Sequence, residues 1–163
     1  MFAIAITDQN WFEYLRKNQF DGVINFWTPS PWRMQRLTYG DWLYFFLKSP
    51  VRKIAGGGCF SNYQEMNIQE AWDKYGNRNG CKTFDDLRGI IKEYKKNTMF
   101  GRELLNHKIG CIELINCKYL RRPRYTCTSN YNINIPATMQ KFKYFEQDDP
   151  FSDYLIKHGG SSK

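Results

Sequence analysis

Apolar residues occur in short runs separated by turn signals, a pattern typical of a strand-rich protein. Three such runs lie within residues 22–60. The first ends before two prolines, the second follows the turn signal at residues 39–41, and the third closes with three glycines at residues 56–58. Prolines stiffen the backbone, and glycines let another backbone or a flat ligand approach closely. The pattern therefore predicts three strands in a curved sheet, with a slot over it.

The amino terminus is predicted to begin with a strand and a helix. Residues 2–6 form a short apolar run, and Thr7 or Asp8 follows as a helix cap. Apolar residues, among them Trp11, then recur at helical spacing. Aromatic residues at this spacing usually face the core, so Trp11 is predicted to pack inward.

Two further helices are predicted in the middle of the chain. One begins at Asn67, where Glu70 nearly completes a capping box, and ends at Gly76. The other begins at Thr83, and its acidic first turn and lysine-rich last turn suit the helix dipole. Residues 97–108 lack apolar periodicity and are predicted to form a loop.

The last third of the chain returns to strand-like patterns. Residues 109–115 are predicted to form a buried strand and residues 141–145 a last strand. The whole chain is therefore predicted to be an α+β protein with a twisted mixed sheet, partly closed into a barrel, and helices packed at its side. Residues 1–147 would form its one domain, and residues 148–163 a short helix and a flexible Gly-Ser tail.

Composition agrees with one folded domain. The 163 residues suffice for a core, and 42% hydrophobic and 17% aromatic residues argue against disorder despite a mean hydropathy of -0.66. The longest apolar run, residues 42–47, is too short to cross a bilayer, and the amino terminus has no signal-peptide pattern. We therefore expect a cytoplasmic protein without a membrane partner.

The cysteines and histidines offer little for a metal site. The chain has five cysteines, an odd number, and no Cys-x-x-Cys pair. Neither of its two histidines, His107 and His158, lies in a metal-binding motif. The sequence therefore predicts buried or incidental reduced thiols, with no metal and no cofactor.

The charge balance, 24 − 16 = +8, indicates an acidic partner. Residues 114–145 contain no acidic residue, and basic and aromatic residues are interspersed there. Cations neutralise phosphates and aromatic faces stack on sugars or bases, so this segment favours nucleic acid. A solvated charged face is the alternative. The predicted phosphate contacts are Arg33, Arg36, Lys118, Arg121, Arg122, Arg124, Lys141 and Lys143.

Several motifs occur in the order and spacing of one domain family. Over about residues 4–116, the chain resembles the amino-terminal domain that precedes HNH nuclease domains in modification-dependent restriction endonucleases of bacteria. That domain is similar to the PUA-like superfamily, which includes EVE, ASCH, YTH and SRA domains. The motifs that carry the resemblance are Trp11-Phe12 with Leu15, residues 23–27 with Pro29-Ser30, Gly40, residues 56–60, Ala71-Trp72 with Tyr75-Gly76, Asn79-Gly80, and residues 109–112.

The resemblance implies a pseudo-barrel that captures one nucleobase, often a modified one, in an aromatic pocket. Extruding a base from a duplex costs a few kcal/mol, and stacking on aromatic side chains returns about 1–3 kcal/mol per base. Asn25 is the candidate for reading the base edge, because an amide both donates and accepts hydrogen bonds. A strand-end amide that holds the turn at Pro29 is the alternative. The predicted pocket comprises Asn25, Phe26, Trp27, Thr28, Ser30, Phe60, Ser61, Asn62 and Tyr63.

The leading hypothesis is a binding module, not an enzyme, that reads a modified base in double-stranded DNA for restriction of foreign DNA. A nuclease effector, fused or separate, would then cut, because the chain contains no HNH motif. RNA recognition, as in YTH and PUA domains, is the alternative binding function, since charge and stacking do not separate the two.

An ASCH-like ribonuclease is the enzymatic alternative. Catalysis would need a general base in the slot, for which the candidates are Asp41, Glu65 and Asp73. Lys48 or Lys53 would stabilise the developing charge. Each of the three acids has a simpler role in a turn or beside a helix, so the sequence favours binding over catalysis.

Overall fold

The structure, a computed structural model that describes residues 1–161, combines strands with short helices. The strands are β1 (Phe2–Thr7), β2 (Ile24–Thr28), β3 (Trp42–Leu47), β4 (Ile54–Asn67), β5 (Lys108–Tyr119), β6 (Phe142–Phe145) and β7 (Gly160–Ser161). The helices are α1 (Gln9–Asn18), α2 (Ile68–Tyr75), α3 (Phe84–Tyr94), α4 (Gly101–Asn106) and α5 (Ser152–His158). The predicted α+β class is confirmed.

All strands belong to one mixed sheet. Six of them lie in the order β2-β5-β4-β3-β1-β6, and the short β7 pairs with β5. Strands β1 and β3 run parallel, and the other neighbours run antiparallel. The three strands predicted in residues 22–60 are present, but β2 lies beside β5 and not beside β3. Strand β2 therefore lies at the edge of the sheet, separated from β4 by β5.

Aromatic side chains bridge the two edge strands and close the sheet into a pseudo-barrel. The ring of Trp32, in the segment after β2, lies 6.0 Å from that of Phe26 on β2. The same ring stacks on Phe142 of β6 at 5.6 Å. Closure at this seam therefore depends on side chains and not on a ladder of backbone hydrogen bonds.

Strand β4 is longer than predicted and continues through residues 61–67. In this extension Asn62 and Tyr63 pair with β5, and an irregularity in register between Phe60 and Asn62 leaves Ser61 without a partner in the ladder. The three glycines earlier in β4 are explained by packing. A Cβ at Gly56 would lie 2.5 Å from the carbonyl oxygen of Lys118 on β5. The close approach expected there is made by a neighbouring strand.

Local signals define the helix ends. The side chain of Asp8 accepts hydrogen bonds from the amides of Asn10 and Trp11 and so caps α1. Asn67 and Glu70 form a complete capping box at α2. The predicted loop at residues 97–108 is wrong in part, because α4 lies within it and buries Leu104.

The carboxyl-terminal residues pack on the sheet. Phe151 and Leu155 are fully buried in a core cluster with Phe2 and Tyr44. Helix α5 lies within the predicted carboxyl-terminal segment, and residues 162–163 of the predicted tail lie outside the described residues. Within residues 1–161, no helix combines the length and the apolar character needed to span a membrane.

Candidate nucleic-acid interface

A cavity of about 870 Å³ lies beside the seam of the pseudo-barrel. Its walls come from the ends of β1 and β2, the start of α1, the segment after β3, α3 and residues 137–141. Trp27, Trp32 and Tyr94 provide aromatic surface, and Lys48 and Lys141 provide positive charge. A volume of this size falls within the range of small-molecule binding sites.

Asn79 holds the inner wall of the cavity together. Its backbone carbonyl accepts a hydrogen bond of 2.8 Å from the indole Nε1 of Trp27. Its side-chain Nδ2 donates to the carbonyls of Ala71 and Gly76, at 3.1 and 2.8 Å, and so fixes the turn after α2. The ring of Trp27 is thereby held in one orientation. Its only N–H group is already donated to Asn79.

Asn25 belongs to this support and does not line the cavity. The side chain is fully buried, and its Nδ2 donates to Asn79 Oδ1 at 2.8 Å and approaches Cys111 Sγ at 3.4 Å. The backbone carbonyl of Asn25 accepts a hydrogen bond from Trp11 Nε1 at 3.3 Å. The Oδ1 atom has no partner among the described residues. The amide therefore connects β2 to the Asn79 turn, 54 residues away in the chain.

Gly80 explains how Trp11 reaches the cavity wall. A Cβ at Gly80 would lie 2.1 Å from Trp11 Cδ1, and the backbone there has a φ of +85°. Both the space and the conformation require glycine. Trp11 is 8% exposed, so it is largely core, as predicted, and presents only an edge to the cavity.

The outer wall combines a charged group with an exposed ring. Tyr94 is 39% exposed and meets Trp27 edge to face at 6.0 Å. Lys48 Nζ donates to the Tyr94 hydroxyl at 2.5 Å and lies 3.9 Å from Asp8 Oδ2. This wall therefore offers an accessible aromatic face beside a positive charge.

Two contacts from the helical side hold the corner at Pro29 and Ser30. Lys95 Nζ donates to Ser30 Oγ. His107 Nε2 lies 2.6 Å from the Pro29 carbonyl oxygen, which can only accept, so this nitrogen carries a proton. The corner is therefore fixed to the chain segments that follow α3 and α4.

The structure brings together some of the predicted pocket residues. Phe26, Trp27 and Ser30 line the cavity, whereas Thr28 is buried and donates to the Ser30 carbonyl at 2.6 Å. The residues from β4 lie elsewhere, since none of Phe60, Ser61, Asn62 and Tyr63 lines the cavity.

Tyr63 has partners of its own outside the cavity. Its hydroxyl accepts from the backbone amide of Arg33 at 3.0 Å and donates to Glu65 at 3.1 Å. Burial, with a smaller contribution from Glu65, raises the pKa of Tyr63 to about 12. The phenol therefore stays protonated and acts as a structural link between β4 and the segment after β2.

The predicted phosphate contacts are spread over several surfaces. Lys141 lines the cavity. Arg36 and Lys143 line a second cleft of about 580 Å³ beside β6, where Arg36 pairs with Glu146. Arg33 lies 4.0 Å from Glu65. Lys118, Arg121, Arg122 and Arg124 line neither cavity.

The residues from 121 to 125 pack on a different flank of α1. Tyr125 meets Phe12 edge to face at 6.2 Å, and the Arg122 guanidinium lies 5.5 Å from the centre of the Tyr125 ring. Arg124 contacts His158 on α5 at 2.8 Å. No residue of α5 lines the cavity, so this basic turn is separate from it.

The residues proposed for catalysis do not converge. Asp41 accepts from the Thr38 amide, Glu65 from Tyr63, and Asp73 from Gln69. None of these acids lines the cavity, whereas Lys48 does. The carboxylates that do line it are Asp8 and Glu93.

Sequence reasoning missed several residues of the cavity. Asn79 and Gly80 are visible in the sequence as a turn signal, and Tyr94 as part of a helical apolar stripe. Lys48 is expected in the slot only under the ribonuclease alternative, and Arg52 follows a predicted strand without a distinguishing pattern. Only their position after the end of β3, which runs parallel to β1, brings them to the cavity.

Comparison with known proteins identifies the fold. No protein family and no curated protein matches the chain. An ASCH protein from Zymomonas mobilis matches with a TM-score of 0.55 and 12% identity over 98% of this chain and 96% of that one. A tyrosine-to-phenylalanine variant of it matches with a TM-score of 0.60 and 10% identity over 97% and 98% of the two chains.

At this level of identity the likeness shows the fold and not the activity. The chain has the PUA-like pseudo-barrel of ASCH domains, as the resemblance predicts. The likeness does not test the narrower resemblance to HNH-linked proteins, which stays a prediction.

Proposed function

We propose that this protein binds nucleic acid and holds one base, taken out of its stack, in the cavity beside the barrel seam. The observation that supports the proposal is the pairing of aromatic walls with cations around one cavity of about 870 Å³. Trp27 and Tyr94 would offer surfaces for stacking, and Lys48 and Lys141, which line the same cavity, would neutralise a phosphate next to the base.

The rigid wall favours binding energetically. Trp27 is held by Asn79 before any ligand arrives, so little side-chain freedom is lost on stacking. Stacking supplies about 1–3 kcal/mol per base, which offsets the few kcal/mol that extrusion from a duplex costs. A base that is already unpaired would avoid that cost.

The polar atoms of the cavity limit how the base edge is read. The indole hydrogens of Trp11 and Trp27 are already donated to backbone carbonyls, so these rings offer faces and edges only. Asp8 Oδ2 takes no part in capping and faces Lys48. Carboxylate oxygens accept from the exocyclic amino groups of cytosine and adenine, so Asp8 is the first candidate reader.

We propose a modified base in double-stranded DNA as the ligand to test first, following the resemblance to restriction-associated readers. A nuclease effector would act after binding. RNA binding is the main competing outcome, because a captured base and a neutralised phosphate are common to both ligands.

The test is a binding titration at fixed salt. Matched duplexes would carry 5-methylcytosine, 5-hydroxymethylcytosine, N6-methyladenine or no modification, alongside single-stranded RNA. A preference of tenfold or more for one modified duplex, worth about 1.4 kcal/mol, supports the proposal in full. If the RNA binds more tightly than every duplex, RNA and not DNA is the ligand. Cleavage of the RNA would favour the enzymatic alternative. If neither the duplexes nor the RNA bind, the proposal is overturned.

A further inference from the structure

The segment from Lys92 to Lys108, on the outer side of the cavity, carries an unusual surface. Five cations and two carboxylates, those of Glu93 and Glu103, lie on it, and none of the cations forms an ion pair with a carboxylate among residues 1–161. The cations are Lys92, Lys95, Lys96, Arg102 and Lys108. The helix dipole accounts for lysines at the end of α3 but not for Arg102 and Lys108, which follow it.

The same segment exposes an aromatic ring. Phe100 is 60% exposed, and Lys92 Nζ lies 4.8 Å from the centre of its ring. A ring left in water contributes little to folding, because the apolar surface is not buried. An exposed aromatic ring among unpaired cations is the composition of surfaces that bind single-stranded nucleic acid.

Direct contacts join this segment to the cavity. Tyr94 lines the cavity, and Lys95 is the next residue and reaches Ser30, which also lines it. His107, near the other end of the segment, contacts the carbonyl of Pro29. The segment therefore adjoins the cavity through Tyr94, Lys95 and His107.

We infer that this segment, residues 92–108, is the track for the nucleic-acid backbone next to the captured base. The inference rests on the proposed function and adds the path of the strand to it. Lys95 and Lys96 would contact the adjacent phosphates, and Phe100 would stack on a neighbouring base. The Arg121–Arg124 turn, which the sequence favours, lies away from this track.

The experiment measures the salt dependence of binding for matched double variants. The probes are a short duplex with one central 5-methylcytosine and a single-stranded RNA of the same length. Each phosphate contact adds about 0.7–0.9 to the slope of log affinity against log salt, so Lys95→Gln with Lys96→Gln should lower the slope by about 1.4–1.8 for the ligand that binds. The control, Lys17→Gln with Lys157→Gln, removes equal charge from exposed positions elsewhere and should leave the slope unchanged.

A second pair of variants tests stacking. Phe100→Ala should weaken oligonucleotide binding roughly 5-fold or more, whereas Leu105→Ala, which removes another exposed apolar side chain nearby, should not. Neither should change binding of a free nucleoside, which fills the cavity alone. The track is wrong, and the cavity proposal stands, if wild-type protein binds but the lysine variant has the salt slope of its control and Phe100→Ala has the affinity of Leu105→Ala. If wild-type protein binds no probe, the proposed function itself fails.

Discussion

Two cationic regions of this molecule differ in their surroundings. Around the cavity, Lys48, Lys95 and Lys141 come from three distant parts of the chain and meet beside aromatic walls. In the turn from Arg121 to Arg124, the cations are neighbours in sequence and lie against α1 and α5, outside both cavities described above.

The difference shows that charge density along a sequence is a poor guide to charge at a site. The turn holds three arginines within four residues, whereas the lysines near the cavity come from separate places: Lys48 follows a strand, Lys95 and its neighbour Lys96 follow a helix, and Lys141 precedes a strand. A ligand responds to the arrangement in space, because electrostatic attraction falls off over about 10 Å at ordinary salt.

The largest effect is expected from removing the inner wall. Trp27→Ala deletes a ring that packs against two core clusters and bonds to Asn79, so we expect a loss of about 3–5 kcal/mol in the free energy of unfolding. Urea denaturation measures it. Binding should be lost as well under conditions where the variant is still folded. A variant with wild-type stability would mean that the Trp27 ring does not help to hold the inner wall of the cavity together.

Asn79→Ala should have the next largest effect. It leaves the buried Nδ2 of Asn25 without its main acceptor and frees two carbonyls, which costs about 2–3 kcal/mol of stability. Asn77→Ala, an exposed position in the same turn, is the matched control. Equal stabilities for the two variants would contradict the support role of Asn79.

Tyr94→Ala isolates the outer wall, since this ring is partly exposed and contributes less to the core. We expect a loss of about 1–3 kcal/mol in binding with little change in unfolding. Tyr39→Ala, which removes a 73% exposed ring outside the cavity, should leave affinity unchanged. Equal affinities for both variants would remove Tyr94 from the site.

The smallest effect is expected from the basic turn. Replacing Arg121, Arg122 and Arg124 together by Ala should lower the salt slope less than the paired change at Lys95 and Lys96, although it removes one more charge. The comparison uses the same titrations. A fall of about 2 or more in the slope for the triple variant would instead place the turn at the phosphates, as the sequence suggests.

Local features were predictable from the sequence and distant pairings were not. The caps at Asp8 and Asn67 depend on residues within one helical turn, and both are present. The role of Asn25 depends on Asn79, 54 residues away, and no pattern links them. The position of residues 61–63 outside the cavity was not predictable either, because irregularities in strand register change which face a side chain occupies, and alternation alone does not reveal them.

The most direct test of the cavity as the base site is a photochemical crosslink. A 5-iodocytosine would replace the 5-methylcytosine of the modified duplex, and mass spectrometry would locate the crosslinked residue after irradiation. Crosslinks are expected at the cavity walls, at Trp27 or Tyr94. Crosslinks confined to the Arg121–Arg124 turn and its neighbour Tyr125 would contradict it.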